Sequence, residues 1–331
     1  MDVLSDVLRA VRLTGAVYFD VRAREPWVAE TPATQNICSR VMPESEHAIA
    51  FHIMMEGWCW AQLADESEPP VRLEKGDAVI FPEGAGHFMT TERGKRAEPD
   101  MELYYRPNDR VLPFVLRELG GTGAPARFVC GYLGCDARPF NPILDALPRL
   151  LHVRASSLGG HLTNDLIRVA LEENENPRAG GETILSKLSE LMFLQAVRQF
   201  IDGLPEQSKG WLSGLRDRHI SVALRLMHAR PEASWTIDAL AREAGLSRSA
   251  FAERFTDIVG VPPMQYLANW RLQRAAHMLE RQSISIAQAA AAVGYESEAA
   301  FNRAFKKQVG VPPGAWRKAR SRMAEAVVDP A

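Results

Sequence analysis

The stretch LSRSAFAERFTDIVGVPP at residues 246–263 returns as ESEAAFNRAFKKQVGVPP at residues 296–313. Phe251 and Phe301, Phe255 and Phe305, and Gly260-Val261-Pro262-Pro263 and Gly310-Val311-Pro312-Pro313 all share an offset of 50. Upstream, Ile237 and Ile286 stand 49 apart, so the second copy carries one extra turn residue. A repeat of this period marks one supersecondary unit used twice.

Each copy reads as helix, tight turn, helix. In the first, Thr236 is placed to cap a helix whose apolar stripe is Ile237, Leu240, Ala241 and Ala244, and Gly245 supplies the positive φ that ends it. Ser247 then caps a helix with Phe251, Phe255 and Ile258 on its apolar face. In the second copy Ser285 and Gln288 stand at capping-box spacing. Ile286, Ala289, Ala290 and Val293 form the stripe, Gly294 closes it, and Ser297 opens a helix anchored by Phe301, Phe305 and Val309. Buried alanines let the two helices approach closely, as a helix-turn-helix requires. Gly260 and Gly310 stop the second helices, and the following Pro-Pro pairs prevent continuation. Between the copies, Met264–Arg281 reads as one helix of 18 residues, ~27 Å long. With the helices it joins, it sets the two units about one DNA turn apart, roughly 34 Å.

Charge supports the same reading. The whole chain has a net charge of −2, but residues 219–322 carry 15 Lys and Arg against 8 Asp and Glu. That third is therefore the part suited to a polyanion. The motifs Leu240-Ala241-x3-Gly245-x-Ser247-x3-Phe251-x3-Phe255, then Gly260-x-Pro262-Pro263-x2-Tyr266-Leu267-x3-Arg271-Leu272-x2-Ala275, resemble the DNA-binding domain of the AraC/XylS family of bacterial regulators. Ala290-x2-Val293-Gly294-Tyr295-x-Ser297-x3-Phe301-x3-Phe305-x4-Gly310-x-Pro312-Pro313 extends the resemblance over about 100 residues, roughly 220–320.

The resemblance implies that the outward side of each second helix enters the major groove of double-stranded DNA. In the first unit that side holds Arg248, Ser249, Ala252, Glu253 and Thr256. Ser249 and Glu253 are then the base readers, and Arg248 and Arg254 the phosphate contacts. In the second unit Glu298, Ala299, Asn302, Arg303 and Lys306 face outward. Asn302 suits adenine, Arg303 suits guanine or phosphate, and Lys306 and Lys307 suit phosphate. Glu253 departs from the family, many members of which are basic there.

The front of the chain is strand-like. Ile49–Met55 and Trp58–Leu63 flank a turn at Glu56-Gly57, and Val71–Leu73, Ala78–Phe81, Met101–Tyr105 and Arg127–Leu133 are further β-rich runs. Many short strands between Gly and Pro turns argue a barrel or jelly roll. Gly76-x5-Pro82-x-Gly84-x2-His87 resembles the second cupin motif. The first is degenerate: His47 and His52 are five apart and Glu56 lies in a turn. Two occupants of such a barrel stay open. One is a divalent metal on His47, His52 and His87, with Cys38 or Cys59 joining. The other is a small organic effector in a pocket lined by His52, Trp58, Trp60, Phe81 and His87.

The expected fold is thus α+β. A cupin-like barrel with packing or dimerising helices spans 1–205, and a linker spans 206–218. An all-α domain of two helix-turn-helix units joined by a long helix spans 219–322, with a tail at 323–331. Residues 106–126 read as a Pro/Gly-rich loop, and Asn141–Val153, Leu162–Asn174 and Glu182–Leu204 as helices. The last is apolar on two sides, fitting the barrel and either a second subunit (a homodimer) or simple packing. Hydrophobic content of 46% and charged content of 24% are those of a globular protein. No apolar run reaches the ~18 residues of a membrane span, and the acidic start lacks a signal core, so a cytoplasmic, nucleoid-associated protein without a membrane partner is expected.

The leading function is a sequence-specific regulator, not an enzyme, gated by a small molecule; the family resemblance adds RNA polymerase as partner and tilts towards activation. The alternatives are a thiol-based redox regulator using Cys59 or Cys130, and a metal-dependent cupin enzyme. The four cysteines form no CxxC pair and no disulfide framework. No Ser-His-Asp, HExxH or P-loop arrangement offers other catalysis.

Overall fold

The computed structural model describes residues 2–11, 13–43, 45–104, 114–137, 139–155, 165–166, 168–170, 172–173, 176, 178–205, 207–281 and 284–328. Contacts divide the chain into two compact units. One comprises Leu13–Cys135 and Leu147–Gly203; the other comprises Met1–Arg12, Asp136–Ala146 and Leu204–Ala331.

The first unit is a two-sheet sandwich. Its strands are β1 (Thr14–Arg24), β2 (Val28–Thr31), β3 (His47–Glu56), β4 (Cys59–Leu63), β5 (Val71–Leu73), β6 (Ala78–Phe81), β7 (His87–Thr90), β8 (Phe114–Gly120), β9 (Pro125–Cys135) and β10 (Leu151–Val153). One sheet runs β10-β6-β3-β9-β1-β8 and the other β2-β7-β4-β5. Alternation decides which side chains meet between them. Along β3, Ala48, Ala50 and Met54 face the inner core with Phe81, Met89 and Phe128. The intervening Phe51 and Ile53 point to the opposite face, where Met192, Phe193 and Ala196 of a long helix (Gly181–Gly203) cover them. Gly131 on β9 is required for that register, because a Cβ there would lie 2.2 Å from the Phe51 ring.

The sandwich agrees with the sequence expectation, with corrections of detail. Met101–Tyr104 is a 3₁₀ turn instead of a strand. The helix expected over 141–153 is a short helix, Pro142–Ala146, followed by β10, because Leu151 and Val153 pair with Ile80 and Ala78. Part of the loop expected over 106–126 is strand β8, and the rest falls largely on residues outside those described; of the helix expected over 162–174, the described residues 165–166, 168–170 and 172–173 are helical. The helix expected at 182–204 forms over Gly181–Gly203. One side of it is buried, while Ile184 and Leu191 are exposed.

The second unit is helical. In chain order its helices are α1 (Val3–Ala10), α2 (Pro142–Ala146), α3 (Trp211–Arg216), α4 (Ile220–Ala229), α5 (Ile237–Glu243), α6 (Arg248–Val259), α7 (Pro263–Arg281), α8 (Ile286–Ala292), α9 (Glu298–Val309) and α10 (Pro313–Val328). Residues 211–216, expected as linker, are helical because Trp211 is buried and its indole N–H donates to Tyr266 Oη at 2.7 Å. Residues 323–328, expected as tail, continue α10. Two segments expected with the barrel pack here too. The buried Gln273 of α7 accepts from the Phe140 N–H and donates to the Ala10 carbonyl, each at 2.9 Å. Arg320 joins Asp136 and Glu280.

Candidate nucleic-acid interface and barrel cavity

Local chemistry fixes each helix-turn-helix. Thr236 Oγ accepts from the Ala239 N–H, and Ser247 and Ser297 cap the second helices through Ala250 and Ala300. Ser285 and Gln288 complete the capping box. Gly260 and Gly310 adopt φ of 86° and 89°, left-handed values that a Cβ disfavours, and each closes its helix. Phe251, Phe255, Phe301 and Phe305 are fully buried, each contributing roughly 2–3 kcal/mol of transfer free energy. Fixing those rings inward leaves the opposite faces of α6 and α9 outward. Arg248, Ser249, Glu253, Arg254 and Thr256 are exposed on α6, with Ala252 half-buried. Glu298, Ala299, Arg303, Lys306 and Lys307 are exposed on α9, with Asn302 half-buried. The helix between them, α7, has 19 residues, ~28 Å of rigid spacer.

The two outward faces differ in electrostatics. Arg254 pairs with Asp217, whose other bonds accept the N–H groups of His219 and Ile220 at 2.9 Å and so cap α4. Burial pushes Asp217 up, but Arg254 and those N–H groups outweigh it and hold the carboxyl below its ordinary range. Arg248 lies 3.4 Å from Asp238. Arg303, Lys306 and Lys307 have no acidic partner among the described residues.

In the sandwich a cavity of ≈ 210 Å³ opens among β1, β2, β3, β7 and β9. Phe19, Val21, Met89, Leu119 and Phe128 make it apolar, and His52, Tyr104, Cys130 and Tyr132 add polar atoms. Glu30, Glu98 and Asp100 also line it, and Glu30 is bound by Arg96 at 2.9 Å. Burial, outweighing the opposing hydrogen bonds with Thr31 and Tyr132, pushes the Tyr104 phenol up to about 12, so it is neutral at physiological pH.

Of the five residues expected to line a pocket, His52 lines this cavity and the other four lie elsewhere. Trp58, just before β4, and Trp60, on its outer side, stack beneath Arg72 and Arg93 at 4.6 and 3.8 Å. Phe81 stacks on His87 at 3.6 Å, and both are buried behind the wall. Strand periodicity across β1 and β9 is what brings Phe19, Phe128, Cys130 and Tyr132 to one face; β1 escaped notice because its apolar residues alternate with Tyr18, Asp20 and Arg22.

The three histidines His47, His52 and His87 do not converge as one ligand set. His47 points away from His52, five residues on, and its ring bonds the Pro82 carbonyl. His52 Nε2 lies 2.6 Å from His87 Nε2, and His52 Nδ1 lies 2.8 Å from Cys130 Sγ. Those two partners sit on opposite edges of the His52 ring and cannot share one ion with it. Among the described residues no three His, Cys, Asp or Glu side chains converge on a metal position. Glu56 is exposed. Of the redox candidates, Cys59 is fully buried with its thiol pushed up by burial, whereas Cys130 lines the cavity.

Comparison with known proteins agrees with this architecture. A cupin family model matches residues 2–202, and a helix-turn-helix domain model matches residues 240–319. A putative AraC-like transcription regulator of Streptomyces lividans is 29% identical, covering 96% of this chain and 98% of its own. The HTH-type transcriptional regulator AlkR of Acinetobacter baylyi is 30% identical over 96% of this chain and 99% of its own. The RCS-specific activator RclR of Escherichia coli is 31% identical over 72% and 88%. A cupin sandwich joined in one chain to a paired helix-turn-helix unit defines a DNA-binding transcription regulator. The chain belongs to the AraC family of helix-turn-helix regulators, in the group that carries an N-terminal cupin domain. No helix among the described residues is long and apolar enough to cross a membrane.

Proposed function

We propose that the protein is an effector-gated, sequence-specific regulator that acts in the cytoplasm on two successive major grooves of one operator and performs no catalysis of its own. The observation that carries it is the pair of capped helices, α6 and α9, held by buried phenylalanines with polar faces outward and joined through the rigid α7. Asn302 and Arg303 on α9 are the principal base readers, and Lys306 and Lys307 neutralise phosphates. On α6, Ser249 and Glu253 reach base edges, Glu253 accepting from a cytosine amino group, while Arg248 and Arg254 serve phosphates. Ala252, Glu298 and Ala299 set close approach to the groove wall. The barrel cavity takes the effector, a small molecule with an apolar body, since aromatic and aliphatic walls with few polar groups are what such a ligand needs. Contact with RNA polymerase and self-association through the exposed Ile184 and Leu191 complete the proposed partners.

The test is a salt series of full-length protein against genomic fragments that include its own upstream region. Salt-sensitive binding that selects discrete fragments supports the reading. Equal affinity for all fragments overturns the claim of sequence specificity.

A further inference from the structure

One side of the cavity is built around a directed chain of hydrogen bonds. The Ala85 carbonyl can only accept, so the His87 nitrogen that lies 2.8 Å from it, Nδ1, carries the proton. His87 Nε2 is then an acceptor, and His52 Nε2–H donates to it across 2.6 Å. That leaves His52 Nδ1 as an acceptor for the Cys130 thiol at 2.8 Å. His52 and Cys130 are directly opposed across β3 and β9, and Phe19 of β1 stands on the far side of Cys130. The thiol therefore opens to an aromatic cavity with a base behind it and a second imidazole behind that base. The other cysteines lack this setting. Cys59 and Cys135 are buried, and Cys38 directs its thiol to the Ser45 carbonyl.

We propose that Cys130 is a covalent attachment site for a neutral soft electrophile, an α,β-unsaturated carbonyl compound with an aromatic or apolar tail, and that His52 is its general base. The inference rests on the reading of this cavity as the effector site and names the chemical class of effector. In the addition, the thiol proton passes to His52 Nδ1 while Sγ bonds the β-carbon. The alkene π pair moves towards the carbonyl oxygen, and His52 returns the proton to the α-carbon. The product is a thioether with every atom of both reactants retained, and no oxidant is required. His87 keeps the second N–H of the transient imidazolium hydrogen-bonded throughout, so the charge is never left without a partner. Burial pushes the Cys130 thiol up and both imidazoles down, so the resting pair is neutral. Among the described residues no Lys or Arg lines the cavity, whereas Glu98, Asp100 and the Arg96-paired Glu30 do. Anionic reagents are therefore disfavoured twice, by a scarce thiolate and by like charge.

The test uses full-length protein, the neutral aryl enone benzalacetone, its saturated analogue 4-phenyl-2-butanone, and iodoacetate. Intact mass and peptide mapping are expected to show one enone adduct, on Cys130, formed at least ten times faster than iodoacetate labels the same residue. Cys130→Ser is expected to abolish the adduct, and His52→Gln to slow it by on the order of tenfold or more. The saturated ketone is expected to raise the melting temperature of wild type and Cys130→Ser alike, which also shows that the variant is folded and the cavity intact. An adduct spread over Cys38, Cys59 and Cys135, or an unchanged rate in a folded His52→Gln protein, overturns the proposal. Stabilisation by the ketone without any enone adduct overturns the covalent step and leaves the effector reading standing. An enone adduct at Cys130 without stabilisation by the ketone supports the attachment site and counts against reversible effector binding in the cavity.

Discussion

The two helix-turn-helix units have nearly the same interior and very different exteriors. Each has a Ser cap, two buried phenylalanines one turn apart, and a left-handed Gly stop. Outward, the first unit's exposed arginines face acidic neighbours of the same chain, Arg254 on Asp217 and Arg248 near Asp238. The second presents Arg303, Lys306 and Lys307 without acidic partners among the described residues. Packing tolerates little change, because the loss of a ring leaves a cavity, so the repeat is visible inside. The outer face answers to a ligand, and the two faces answer differently. The second unit is therefore expected to dominate DNA affinity, and the first to act as a weaker reader.

The largest expected effect is one in which the units should not differ. Phe251→Ala and Phe301→Ala remove equally buried rings, so each should cost about 3–5 kcal/mol in denaturant unfolding; a cost confined to one would break the symmetry of the scaffolds. Next, Arg303→Ala should weaken specific operator binding by about 1–3 kcal/mol, and Arg254→Ala by clearly less. Titration on operator and on random DNA checks this, and equal loss on both would reassign Arg303 to a phosphate. Smaller still, Lys306→Ala and Lys307→Ala should each flatten the slope of log affinity against log salt by about one. Arg248→Ala should change that slope less.

The smallest effect concerns pH. The folded Asp217 carboxyl lies below its unfolded value. Its contribution is therefore complete above the ordinary carboxylate pKa and is lost as pH falls through the folded value. The pair with Arg254 is partly exposed, so the contribution is modest, under about 1 kcal/mol. Asp217→Asn should make melting less sensitive to acid over that window, and an unaltered pH profile would remove Asp217 from the account.

The helical half was legible because its rules are local. Caps, glycine stops and 3.6-residue stripes all lie within a few neighbours, and Thr236, Ser247, Ser285 and Ser297 cap as their spacing implies. The barrel was legible as a class and not as a site. Most central strands stood out, yet β1 and the pairing of β3 with β9 depend on partners about 70–120 residues away. Trp58 and Trp60 looked like pocket walls by residue type, but both stack under arginines away from the cavity. The His52–Cys130 contact joins residues 78 apart and had no signal in either motif. Gln273 shows the same limit: a single amide inside a helix gives no hint that it ties down Ala10 and Phe140.

That amide has a bearing on how such proteins are taken apart and recombined. The helical unit is assembled from three stretches of chain, so a DNA-binding module cut at residue 204 leaves behind α1, Asp136 and Phe140. It would expose the polar ends of Gln273 and strand Arg320 beside Glu280 without Asp136. Gene fusions that graft a new sensor in front of this module would inherit that deficit. The boundary that a recombination event could cross without penalty is therefore not the place where the helix-turn-helix sequence begins.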